Sequence, residues 1–356
     1  MTPTEKIARA RERARIARGN TPTEAQRIRA LPRRHEPTDV EREVAALRMR
    51  ARLALNADAP WLWPMQGWAL DELDKFGRLA GPIAVGGGKT WILALAPTVL
   101  GIDRAVVLTK ASLVKQTLAA IQTLRRSFDV LPADRLRVMS YERLSTSGLP
   151  DIVEFDPQAI IADEAHLLRN LDSNRARRLF HWMLHDAPTP PKFIPLSGTI
   201  TGSSVEHYQH LYDLALGEGS PIPRDDTIDT WASALDSGSE PRHADVHEVA
   251  RVLGCASTIA AARAALGAFS RETPGIVTSA DNDIGVGLEI TSIRDIDIGG
   301  PVRDALRHLR ATWELPDGTM LVEAIDLQRH AATLALGFWN HLEPEPGTDD
   351  VLVENW

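Results

Sequence analysis

Cysteine is nearly absent: Cys255 is the only one in 356 residues. That excludes a disulfide framework and a cysteine-based zinc site, and it makes a reducing, cytoplasmic compartment the expectation. Long apolar runs are missing too. None approaches the roughly 20 residues that cross a bilayer, so no membrane partner is expected. The opening residues, MTPTEKIARARERARIARGN, lack the apolar stretch of a secretory signal. Glu5, Glu12 and the scarcity of serine there argue against an organellar transit peptide. The 11 histidines include no H-E-x-x-H, which leaves a dedicated metal centre without a motif.

What is present begins with a charge polarity. The net charge is −8, yet residues 1–57 hold fourteen Lys and Arg against seven Asp and Glu. A basic arm on an acidic body suits a nucleic-acid partner and equally a solvated helical tail. Within it, residues 3–18 and roughly 37–55 read as helices, separated by the breaker-rich GNTPTEAQ and LPRRHEP. The second has Thr38 or Asp39 as its N-cap, a partial apolar stripe of Val40, Val44, Leu47 and Leu55, and a basic flank of Arg48, Arg50 and Arg52. It reads as a surface helix resting on the core domain, with direct DNA contact as the alternative.

From residue 60 short apolar runs alternate with helix-like segments. LAGPIAV, RAVVLT, LRVMSY, QAIIAD and KFIPLSGT read as strands; TWILALAPTVL and SLVKQTLAAIQTLRRSF read as helices. Such alternation predicts a parallel sheet with helices on both faces, an α/β fold. Beyond residue 205 the pattern is mostly helical, with a strand pair at GLEITSIRDIDI and further helices near 301–315 and 321–340.

The stretch GPIAVGGGKTWILAL joins the first strand to a helix. Glycines let backbone N–H groups converge on phosphate oxygens, and the helix N-terminus adds partial positive charge. Gly86, Gly87 and Gly88 supply that freedom, Lys89 would reach the β- and γ-phosphates, and the Thr90 hydroxyl would ligate Mg²⁺. The strict G-x-x-x-x-G-K-[ST] form is not met, because Ile83 stands at its first position. Downstream, QAIIADEAHLL sets Asp163 and Glu164 directly after a run that reads as a buried strand. In a doubly wound sheet ligands collect at the carboxyl ends of the strands. Asp163 there can hold Mg²⁺, and Glu164 can orient or deprotonate the attacking water. ATP and Mg²⁺ are therefore the expected cofactors.

GGGKT together with DEAH resembles the superfamily 2 helicases and translocases, whose phosphate loop commonly reads A-x-x-G-x-G-K-T. The resemblance implies a RecA-like P-loop NTPase lobe and extends to further segments in the family's order. WPMQGWALDEL sets Gln66 where the family reads the adenine. LTKASLVKQ sets Lys110 and Ser112 where it touches a nucleic-acid backbone. LSGTITGSSVEHYQHLYDLA sets Ser197, Gly198 and Thr199 where ATP state is coupled to nucleic-acid grip, and His166 of the DEAH box shares that coupling or contacts the nucleotide. MSYERLS and DEAHLLRN resemble Swi/Snf forms, which implies duplex DNA as partner. RETPGIVTS and LALGFWNHLEP resemble helicase-like proteins of bacteriophages, which implies a bacterial host cytoplasm.

Taken singly, these segments have plainer readings. Gln66 is also an ordinary surface residue, Ser112 a helix N-cap, Ser197-Gly198-Thr199 a strand-end turn and His166 a core histidine. Trp61, Trp63 and Trp68 flank Gln66 and read as packing for that segment, with base stacking as the alternative. No Q-x-x-G-R-x-x-R segment, the family's arginine-finger source, occurs; LQRHAATLALG contains Gln328 and Arg329 without its spacing. The expected organisation is a basic helical arm over 1–57, a RecA-like ATP-binding lobe over 58–216, and a mostly helical region over 217–356. The expected function is an ATP-hydrolysing, DNA-directed helicase or translocase module. It would be a half-motor whose second lobe is supplied by a separate polypeptide or lost. The alternatives are a non-motor ATP switch or DNA-binding scaffold, and a phage DNA-packaging ATPase.

Overall fold

A computed structural model of the chain describes residues 23–84, 86–146, 148–198, 204–236, 241–279 and 300–315, together with seven single residues between 318 and 334. Two compact units are present, Met1–Gly287 and Leu288–Trp356.

In the first unit four strands, β1 (Ala105–Thr109), β2 (Leu136–Ser140), β3 (Ala159–Asp163) and β4 (Lys192–Leu196), form a sheet of order β2-β1-β3-β4. Every pairing is parallel. All residues of β1 and β3 are buried, as expected of strands covered on both faces. Their alternate side chains feed two cores. Val106, Leu108, Ile160, Ala162 and Phe193 belong to one; Ala105, Val107, Ile161, Ile194 and Leu196 belong to the other. This is an α/β domain with a parallel sheet, with a mostly helical region after it.

The segment expected as the first strand is shorter than LAGPIAV suggests. It joins the sheet through a single parallel bridge, Gly81 to Leu196, and a second bridge pairs Ala80 with Ile276 outside the sheet. Gly81 donates its N–H to Pro195 O at 2.8 Å and accepts from Ser197 N at 3.0 Å. The glycine loop thus emerges beside β4, with β3 one strand further in.

On the second core lie α2 (Asp39–Leu53), α3 (Pro64–Phe76), α4 (Lys89–Val99) and α5 (Val114–Leu124). The apolar stripe read from the sequence of α2 faces the wrong way. Val40, Val44, Leu47 and Leu55 are exposed, whereas Ala45, Ala46, Met49 and Leu53 are buried. The reason is a close helix crossing: a Cβ on Gly67 of α3 would lie 2.2 Å from Ala46 Cα, so only small side chains fit that contact. Thr38 caps α2 in a reciprocal box with Glu41. The Thr38 N–H and its partners pull the Glu41 carboxyl down to about 2. Thr38→Ala is expected to cost about 1 kcal/mol, read as a lower midpoint in urea unfolding at neutral pH.

The basic flank is also engaged in folded contacts. Arg48 pairs with the buried Asp71, Arg52 with Asp74 at 2.5 Å, and Arg50 donates to Ala59 O at 2.7 Å. A helix not expected in the breaker-rich stretch, α1 (Glu24–Ala30), starts at a Thr23–Gln26 capping box. Its buried Arg27 donates to Glu24 and to the carbonyls of Ser220 and Ile222. Arg34 reaches the buried Glu72 at 3.3 Å and Ile276 O at 2.8 Å.

In the second unit, helix Gly300–Thr312 packs Leu306 and Leu309 with Leu315 and Leu334. The strand pair at GLEITSIRDIDI, the N-terminal helix over 3–18, and Gln328 and Arg329 lie outside the described residues. So does most of the 321–340 segment. No helix among the described residues is long and apolar enough to cross a membrane.

Candidate functional site

The glycine loop ends where α4 begins. Gly88 caps the helix with φ +76°, and a Cβ there would lie 2.1 Å from Gln66 Nε2. Both the left-handed backbone and the close approach require glycine. Gln66 is buried at the third position of α3; its Oε1 accepts the Trp63 N–H at 2.9 Å and its amide nitrogen lies 3.5 Å from Gly88 O. The glutamine therefore ties the start of α3 to the glycine loop.

Lys89 is buried, and its Nζ donates to Ile83 O at 3.1 Å and Ala84 O at 3.3 Å. The same Nζ stands 3.6 Å from Glu164 Oε1. Two residues 75 positions apart in sequence thus meet at one ammonium group. The sheet arranges this: Asp163 ends β3 with the parity of Ile161, on the face that carries α4. Burial pushes the Asp163 carboxyl above its ordinary range, and the neighbouring Glu164 charge adds to that. Two adjacent carboxylates, one of them buried, are what a cation would relieve. Glu164 itself has a left-handed backbone, φ +55° and ψ +49°, uncommon for a residue with a side chain.

These groups line a cleft of about 500 Å³. Gly86, Gly88, Lys89, Thr90, Asp163 and Glu164 line it, together with Gln66, Trp61, Trp63 and Trp91. Gln116 and Thr117 of α5 line it as well. Gly87 is buried behind the loop and does not line it.

The tryptophans depart from the packing expectation. Trp68 is buried, but Trp61 and Trp63 are 65% and 53% exposed at the cleft. Arg50 lies 4.4 Å above the Trp61 ring. Sequence reading missed Trp91, Gln116 and Thr117, which carry no motif. It also missed Thr109, the lone polar residue of an otherwise apolar strand.

His166 sits beside the cleft rather than in its lining. Its Nδ1 is 2.9 Å from Ser197 Oγ and 3.2 Å from Glu164 Oε2, and the Ser197 hydroxyl lies 3.2 Å from that same oxygen. Burial lowers the imidazole's proton affinity, opposed by Glu164 and reinforced by the charges of Lys110 and Arg169. The DEAH box and the Ser-Gly segment therefore meet. Ser197 is buried and Gly198 exposed; Thr199 lies outside the described residues. Lys110 and Ser112 do not line the cleft. They stand after the carboxyl end of β1, at the start of a short helical turn, with Ser112 exposed.

Among the described residues no group of three or more His, Cys, Asp or Glu is disposed to hold a metal. The donors present are hard oxygens, Asp163 and Thr90. They fit Mg²⁺, which is usually bound by one or two carboxylates together with substrate phosphates and waters.

No family model matches the sequence, and no curated protein matches it either. Among solved structures the chain is similar to the SWI2/SNF2 ATPase core of Sulfolobus solfataricus in complex with double-stranded DNA, with a TM-score of 0.41 and 13% sequence identity. The match covers 63% of this chain and 46% of that one, so the chain spans less than half of that structure's length.

Proposed function

We propose that the cleft binds ATP with Mg²⁺ and hydrolyses it, as the nucleotide-binding lobe of a superfamily 2 DNA helicase or translocase. The observation that carries this reading is the meeting of Lys89 and Glu164 at 3.6 Å in a cleft that also holds Thr90 and Asp163. Lys89 and the loop N–H groups would bind the phosphates, and Glu164 would accept a proton from the attacking water. Thr90 and Asp163 would hold Mg²⁺, which when bound neutralises charge on the phosphates. Gln66, Trp61 and Trp63 offer the base an amide and two aromatic faces.

The DNA part rests on the sequence resemblance of the Lys110–Ser112 and Ser197–Thr199 segments. The contacts of the half-buried His166 with Glu164 and Ser197 support a link between nucleotide state and that edge. No arginine is among the described residues that line the cleft. An arginine finger contributes about 10³–10⁵ in rate, so full turnover would need a second RecA-like lobe. The same observation favours a second reading, a nucleotide switch that binds without sustained turnover. Steady-state ATP hydrolysis with and without duplex DNA separates the two. The motor reading expects slow basal turnover that DNA accelerates; tight ATP binding with no turnover in either condition favours the switch. Robust unwinding of duplex DNA by the purified chain would contradict the need for a second lobe.

The basic arm calls for a selective test. Residues 1–22 carry six Lys and Arg against two Asp and Glu, whereas 23–57 are built into the fold through Arg27, Arg34, Arg48 and Met49. Removing 1–22 is expected to weaken DNA binding and to lower the slope of log Kd against log salt by about 0.9 per lost phosphate contact. An unchanged slope would remove this segment from the DNA interface. Removing 1–57 is expected to unfold the domain, since truncating buried residues such as Met49 costs about 2–5 kcal/mol each.

A further inference from the structure

We infer that Thr109 is a positioning residue for Asp163, setting the magnesium affinity of the cleft; this rests on the magnesium–nucleotide reading above. β1 is apolar until its last residue, and all five of its residues are buried. A hydroxyl in that setting is costly unless it is paired. The Thr109 hydroxyl donates to Asp163 Oδ2 at 3.2 Å. Strand register makes the contact: Leu108 lies beside Ala162 in the parallel β1–β3 ladder, so the next residues on each strand are neighbours on the α4 face. A second contact fixes the backbone of the same residue. Tyr141, fully buried at the end of β2, donates its phenol O–H to the Asp163 carbonyl at 2.7 Å.

Asp163 is thus held twice, at its carboxylate from β1 and at its carbonyl from beyond β2. A carboxylate that ligates a cation gains from a fixed orientation. Outer hydrogen-bond partners of metal ligands commonly govern about 10–100-fold in metal affinity. Lys89 and Glu164 act on the nucleotide, whereas Thr109, with no exposed surface, can act only through Asp163.

The test is equilibrium binding of a fluorescent ATP analogue as Mg²⁺ is titrated into the intact chain. Thr109→Val keeps the branched shape and removes only the hydroxyl; Thr109→Ser keeps the hydroxyl and removes a methyl. Thr109→Val is expected to raise the half-saturating Mg²⁺ concentration by about 10-fold without changing nucleotide binding in the absence of Mg²⁺. Thr109→Ser is expected to stay close to wild type. A side chain that only packs the core predicts the reverse order, with Thr109→Ser the damaged variant because losing the methyl opens a cavity. Should Thr109→Val not fold, Thr109→Cys, whose thiol is a weak donor, carries the same expectation. An unchanged Mg²⁺ dependence in the variant lacking a good donor overturns the inference and leaves the nucleotide site standing. Wild-type binding that ignores Mg²⁺, or no binding at all, overturns both.

Discussion

Lys89→Ala is expected to lower kcat for ATP hydrolysis by on the order of 10²–10³-fold or more and to weaken nucleotide binding as well. Lys89 is a cation lining the cleft, buried and 3.6 Å from Glu164. Its two other contacts, the Ile83 and Ala84 carbonyls, belong to the loop itself. An ammonium on those carbonyls can swing to a phosphate without disturbing the fold, because α4 is anchored by Ile92, Leu93 and Leu95 rather than by Lys89. The substitution should therefore leave stability nearly unchanged while removing the charge that faces the phosphates. Steady-state hydrolysis and thermal unfolding on the same preparation check both halves. Wild-type hydrolysis by Lys89→Ala would remove the site assignment.

Glu164→Gln should separate binding from chemistry. The glutamine keeps the shape and an acceptor oxygen for the Ser197 hydroxyl, now 3.2 Å from Glu164 Oε2, but it takes no proton from water at neutral pH. Loss of a general base typically costs 10²–10⁴-fold, so hydrolysis is expected to fall by about that factor with ATP affinity retained. The left-handed backbone of Glu164, φ +55°, points the same way. Such conformations cost about 1–3 kcal/mol and persist where the surroundings over-determine them. Here Lys89, His166 and Ser197 all converge on the side chain. If Glu164→Gln loses ATP affinity in a direct titration, or turns over at the wild-type rate, Glu164 is a structural residue.

The parts of this site that could be read in the sequence are those whose chemistry sits on consecutive residues. GGGKT carries loop, cation and hydroxyl in five positions, and QAIIADE carries strand and carboxylates in seven. Strands β1, β3 and β4 were legible because buried parallel strands need unbroken apolar runs. Contacts made across the sheet were not legible. Thr109 meets Asp163, 54 positions later, only because two strands pair in one register. The face of α2 was misread because hydrophobic size is a poor guide where helices cross closely. Ala45 and Ala46 go inward against Gly67, and the larger Val40 and Val44 stay in water. A charge count leaves the arginines of 23–57 equally open to a nucleic-acid partner and to a solvated tail, whereas Arg27, Arg34 and Arg48 answer acids and carbonyls up to 242 residues away. Trp61 and Trp63 looked like packing because tryptophan usually is buried, and their exposure follows from standing just before α3 at the cleft.

The most direct measurement is a calorimetric titration of the intact chain with ATP, run with Mg²⁺ and with the metal chelated. Saturable binding of one nucleotide per chain is expected, strengthened by Mg²⁺ and lost in Lys89→Ala. Absence of binding, or equal binding by wild type and Lys89→Ala, would contradict it.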